Sequence, residues 1–235
     1  MIKIIYTFIL SITFSVLVAS NAFAGPKGPA TQYEVTMTKV EICEVGSTDS
    51  NCLNPVTVSP PGETKTADIA AVNSGSSVGS FGSLSSLSAG KNYSYIQVTM
   101  SRLFTITGTT SAGCATNSGG TAGGLNAYGV GQTASSGTSQ TLSVPNTNGM
   151  SATLPNTING AADANGDSVS AVSVISNTDT HMQFRKKLTE SFSMKAGSIP
   201  SITLAFDTSN AVESNGTCTN PVMNAAEPTV TITVN

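Results

Sequence analysis

Few residues in this chain have the types and spacing that chemistry needs. One loop sets oxygen donors at alternate positions, Asp163, Asn165 and Asp167, with Ser168 next. That spacing suits calcium, a hard cation that collects roughly six to eight oxygens at close range. An EF-hand-like loop would continue with glycine at its sixth position and a bidentate glutamate at its twelfth. Here those positions hold Ser168 and Val174, so a calcium ion on Asp163, Asn165 and Asp167 needs further donors from elsewhere. Read as an Asn-Gly turn ahead of a strand, the same residues need no metal.

Catalysis has little to work with. His181 is the only histidine, so any Ser-His-Asp relay must use it. Paired carboxylates would have to come from thirteen acids, several of them in turns. Tryptophan is absent, so a sugar-stacking platform would rest on tyrosine. The expectation is a chain with no catalytic residues and no cofactor other than the calcium option. Arg185, Lys186 and Lys187 form an isolated basic cluster in a chain of net charge −3, which reads as a solvated face; no nucleic-acid partner is expected.

Cysteine chemistry is better defined. Four cysteines, an even number, point to an oxidising compartment and up to two disulfides, with three ways to pair them. Cys43 and Cys52 are the local pair, flanking a segment whose Gly46 and Asp49-Ser50-Asn51 suit the tip of a hairpin. Cys114 and Cys218 would then close a loop of about a hundred residues, worth on the order of 4–5 kcal/mol in the loop-entropy model against about 3 for the local bridge. Neither a Cys-x-x-Cys spacing nor a second histidine supports zinc.

The compartment is also written at the N-terminus. Lys3 precedes an uncharged, mostly apolar run from residue 4 to 18, and small residues end at Ala22-Phe23-Ala24 before Gly25. This is the pattern of a signal peptide over 1–24. The expected location is the periplasm, the cell surface or the extracellular space, with no membrane segment left after cleavage.

Any functional group must then be carried by strands. Residues 87–107 read as one long strand: Ile96, Val98, Met100, Phe104 and Ile106 share one parity and Gln97, Thr99, Ser101 and Thr105 the other. Arg102 falls on the apolar parity, which predicts a bulge there or a buried acid beside it, the bulge being favoured. Ahead of this strand, Leu87, Gly90 and Tyr93 match a corner in which a tyrosine hydroxyl bonds back to nearby backbone. Residues 33–43 alternate with a phase slip between Met37 and Val40, predicting a second bulge.

Further strands are expected at 52–58, 64–69, 168–175, 181–185, 199–207 and 229–235, with 188–194 either continuing the 181–185 strand after a bulge or forming its partner. A helix competes for 182–194 because Leu188 and Phe192 lie four apart, but Phe184 and Met194 spoil the stripe. Residues 108–167, rich in Gly, Ser, Thr and Asn, read as an insertion containing a long surface loop over 117–138 and a small hairpin around Asn148-Gly149. The fold class is therefore all-β: an antiparallel Greek-key sandwich, immunoglobulin-like or transthyretin-like, with a Gly/Ser-rich insertion. Residues 25–32 are expected as a flexible leader and 33–235 as one domain.

The signal peptide, the early stapled hairpin, the Thr/Ser-rich alternating strands and the terminal strand resemble bacterial exported β-sandwich proteins of the fimbrial and biofilm-matrix subunit kind. The resemblance is at the level of fold, and it departs from chaperone–usher pilins at Val234, where those carry tyrosine. It implies a non-enzymatic structural or adhesive surface protein that self-associates through edge strands or binds other surface proteins. The alternative is a secreted binding module that recognises a glycan or another ligand through the 108–167 loop.

Overall fold

A computed structural model describes residues 25–71, 81–118, 129–144, 152–153, 158–162, 174–175, 179–195, 197, 200–215, 218–219 and 221–234. Among the described residues seventeen strands run in chain order: β1 Lys27–Gly28, β2 Ala30–Glu44, β3 Val56–Thr57, β4 Lys65–Asp68, β5 Asn92–Ser101, β6 Leu103–Gly108, β7 Cys114–Asn117, β8 Gly129–Thr133, β9 Gln140–Ser143, β10 Ala152–Thr153, β11 Ile158–Ala162, β12 Val174–Ile175, β13 His181–Ser193, β14 Ile202–Asp207, β15 Val212–Ser214, β16 Val222–Ala225 and β17 Thr229–Val234. All the pairings are antiparallel. No α-helix occurs among the described residues; a single 3-10 turn spans Leu84–Ser86.

The large sheet is built on β2. Its C-terminal half pairs with β5 (Val40 opposite Val98, Ile42 opposite Ile96), and its N-terminal half pairs with β6 (Tyr33 opposite Ile106). The strand predicted over 87–107 is thus found along β2 from Asn92 onward, residues 87–91 not being strand, and it breaks at Arg102 into β5 and β6. The predicted bulge in β2 is also present, as a register shift between Met37 and Lys39. Each irregularity lets both halves of its strand keep their apolar residues on one face. The far edge of β5–β6 is shared, with β13 pairing β5 and β9 pairing β6. Residues 181–193 are strand, as the broken helical stripe implied.

The second layer is one long bent hairpin. β14 and β15 run antiparallel to β17 and β16, with Asp207 opposite Thr229 and Val212 opposite Ala225, and the bend lies at 208–211 and 226–228. Its tip half joins β1, β8 and β7 into a five-stranded sheet in the order β1-β15-β16-β8-β7. Its base half, β14–β17, stays two-stranded.

Both halves pack on the same face of the large sheet. Tyr33, Phe104, Ile106 and Leu142 meet Val212 and Met223 under the five-stranded sheet. Val40, Ile42, Tyr93, Ile96 and Val98 meet Ile232 and its neighbours under β14–β17. The result is an all-β protein of antiparallel sheets packed face to face.

Both disulfides form, Cys43–Cys52 and Cys114–Cys218. The first closes the β2–β3 hairpin; the second ties β7 to the tip of the long hairpin. The expected tyrosine corner is seen as a hydrogen bond from Ser88 N to Tyr93 Oη at 3.1 Å, beside Gly90 at φ +80°.

Three segments differ from the sequence expectation. Residues 25–32, expected as a flexible leader, are held in both layers: β1 pairs β15 and Gly25 N donates to Glu213 Oε1 at 2.9 Å, while residues 30–32 open β2 and pair β6. Within the expected loop over 117–138, residues Gly129–Thr133 form β8. Alternation cannot reveal that strand because its packing needs glycine: a Cβ on Gly131 would sit 2.4 Å from Pro221 Cγ. Finally, Arg185 is buried on the outer face of the large sheet, not solvated; only Lys187 of that basic cluster is exposed. The Asn148-Gly149 turn and all but Val174–Ile175 of the strand expected over 168–175 lie outside the described residues.

Candidate functional site

The long hairpin bends over the N-terminal part of β2, and a cleft opens between the two layers. Tyr33 Oη donates to Ala226 O at 3.1 Å and Ala30 N to Thr208 O at 3.0 Å, which fixes the bend of the hairpin over β2. Beside this anchor the layers are not filled by side chains. The cleft has a volume of about 350 Å³, within the range of roughly 300–1,000 Å³ typical of small-molecule sites.

Its floor is Tyr33, Val35 and Met37 of β2 with Met100 and Phe104 of the neighbouring strands. Leu142 and Val144 from the β9 side and Met182 and Phe184 of β13 form one wall. Leu204, Phe206 and Val230 form the roof, and Asn224 and the exposed Glu227 stand at the mouth. Tyr33 and Phe104 meet edge to face with ring centroids 5.6 Å apart. The Tyr33 phenol is held well above its ordinary pKa, first by burial and then by the negative charge of Glu227. No Lys, Arg or His lines the cleft among the described residues.

Arg102 supports the wall from behind. It is fully buried; Nε donates to Val144 O at 3.1 Å, Nη1 to Asp179 O at 2.7 Å and Nη2 to Ser143 Oγ at 2.9 Å. Its own backbone N–H bonds Thr180 O and its carbonyl accepts from Val144 N. Sequence reasoning offered a bulge or a buried acid; the chain does break there, and carbonyl dipoles receive the guanidinium, with Asp179 also acting on it electrostatically. One residue thereby fixes where the partner of β5–β6 changes from β13 to β9. It also holds both ends of the segment 145–178 at a single point.

A second feature lies beside the cleft. Among the described residues no third strand pairs with β14–β17. On the β17 side, Thr189 Oγ1 of β13 donates to Ile232 O. The open edge is therefore that of β14, which is half exposed from Ile202 to Phe206. It carries no charge before Asp207 and no proline after Pro200, the devices that commonly blunt an exposed edge.

The outer face of the large sheet holds a buried polar row. Gln97 Nε2 donates to Glu41 Oε2 at 2.7 Å, Lys39 Nζ lies 2.9 Å from Glu41 Oε1, and Arg185 Nε donates to Gln97 Oε1 at 2.9 Å. Arg185 Nη1 reaches Asp49 O of the Cys43–Cys52 loop at 2.9 Å, so the row ties the stapled hairpin to β13. Every charge in it has a hydrogen-bonding partner, and it reads as a structural device.

The candidates from sequence fare differently. The cysteines are paired as the spacing suggested. Asp163, Asn165 and Asp167 lie outside the described residues, and no cluster of three metal-ligating side chains occurs among those described. His181 opens β13, its Nδ1 2.8 Å from Thr180 Oγ1. Gly75, Ser77 and Gly79 spell a Gly-x-Ser-x-Gly pattern that falls within 72–80, outside the described residues.

The cleft itself escaped sequence reasoning because its lining comes from eight strands and each of its apolar residues alone reads as core. No described helix is long and apolar enough to cross a membrane. Comparison with family models, with curated proteins and with solved structures returns no match for this chain, so its geometry carries the functional reading.

Proposed function

We propose that this chain is an exported, non-enzymatic surface or matrix protein that associates with copies of itself, or with other surface proteins, through a strand edge. The observation that carries this reading is the edge of β14, with which no third strand pairs among the described residues and which carries no charge before Asp207. A row of backbone donors and acceptors with alternating side chains recruits another strand, main-chain bonds supplying affinity and register. Two disulfides that lock the stapled hairpin and the long hairpin suit a protein working outside a reducing compartment. Light scattering on the purified disulfide-bonded protein across a concentration series tests the reading: growth of dimers or ladders supports it, and a monomer at every concentration counts against it.

A second reading, an exported binding module, draws on the cleft. Leu142, Ser143 and Val144, from the segment expected to recognise a ligand, lie along its wall. The wall they form is apolar, which suits a hydrophobic ligand and not a glycan.

A further inference from the structure

We propose that the inter-layer cleft binds a small aliphatic molecule with a cationic or hydrogen-bond-donating head, its chain lying between the layers and its head at Glu227. The inference rests on the binding-module reading and names the ligand class for it.

Size comes first. An engineered cavity of roughly 150 Å³ lined by aliphatic and aromatic side chains takes up benzene. At about 350 Å³ this cleft accommodates a longer chain. Its lining includes Met37, Met100 and Met182, unbranched and polarizable side chains that adapt to an aliphatic ligand without demanding one shape.

Polarity then narrows the class. Inside the cleft the Tyr33 hydroxyl is spent on Ala226 O, and Ser143 Oγ accepts from Arg102 Nη2. The interior therefore has no row of polar groups with which to bind sugar hydroxyls, whose burial without partners is costly. The polar groups stand at the mouth, and the charged one is a carboxylate. Its field reaches inward far enough to act on Tyr33. With no cation along the lining among the described residues and a net charge of −3, an anionic head such as a fatty-acid carboxylate meets repulsion at the entrance, whereas an ammonium or a hydroxyl donor meets a partner.

Calorimetric titration of the purified disulfide-bonded protein with dodecylammonium, dodecanol and dodecanoate, each below its aggregation threshold, tests this. The proposal expects saturable binding of dodecylammonium at least tenfold tighter than of dodecanoate, with dodecanol between them. Glu227→Gln should bring the ammonium and the carboxylate to within about threefold of each other. Ala225→Phe, which fills the cleft from β16, should weaken all three; Val144→Phe does the same from the opposite wall should the first variant fold poorly.

Equal affinity for the two charged probes, unchanged by Glu227→Gln, would overturn the head-group assignment while leaving the cleft a binding site. Saturable binding of none of the probes, or binding that both filling variants leave intact, would overturn the cleft as a site and the binding-module reading with it.

Discussion

Arg102 carries the most weight of any single residue. Three nitrogens of this fully buried side chain satisfy Val144 O, Asp179 O and Ser143 Oγ, the first two on half-buried residues. Arg102→Met would keep the stem volume but strand those acceptors, and a loss of about 3–5 kcal/mol is expected in urea denaturation. Thr99 is the opposite case. Its Oγ1 is buried with no hydrogen-bond partner among the described residues, so Thr99→Val removes a desolvated hydroxyl at constant shape. The same denaturation assay should show it neutral or more stable by up to about 1 kcal/mol.

Glu44 gives a pH signature. Asn54 Nδ2 donates to its Oε2 at 3.0 Å and Lys91 Nζ lies 3.1 Å from Oε1, and these hold its carboxyl below the ordinary value, the Asn54 bond first. A depressed folded-state pKa supplies stability above the unfolded value, and that stability is lost as pH falls through the folded one. Thermal melts of Glu44→Gln should therefore lose less stability than the wild type on acidification below about pH 4.5.

At the scale of elements, the strands that alternate were legible and the ones that close the second layer were not. The long strand from Asn92, the bulged β2 and the pair β14–β17 all follow from parity. β1, β15 and β16 are two to four residues long, too short for a period to show, and β8 is built on glycines that let it approach β16. Arg102 was legible as an anomaly on the apolar parity, but its carbonyl partners lie about 42 and 77 residues away in sequence.

The two disulfides staple different elements and should differ in effect. Replacing Cys114 and Cys218 by serine frees β7 from the hairpin tip across a separation of 104 residues, while replacing Cys43 and Cys52 opens a loop of separation 9. The long bridge should cost about 4–5 kcal/mol and the short one about 3, measured by denaturant unfolding of the two double variants.

On the scale of the whole molecule, the bent hairpin 202–234 decides what the protein presents. Its tip half completes a five-stranded sheet and its base half does not, so an edge that meets no third strand among the described residues and a cleft arise from the same bend. Neither was readable in sequence, because Leu204 and Phe206 spell an ordinary core parity whether or not a neighbour strand follows. β17 pairs within the chain, and the exposed edge belongs to β14.

The most direct test of the central claim is the assembly state of Ala205→Lys beside the wild type, read by light scattering with negative-stain microscopy. Ala205 lies on β14 between Leu204 and Phe206, on the parity facing away from the cleft, and lysine is the residue that most often blunts such an edge. The account predicts concentration-dependent oligomers for the wild type, at least a tenfold weaker association for Ala205→Lys, and an unchanged melting temperature for its monomer. Identical association of the two proteins, or a wild type that stays monomeric at every concentration, would contradict it.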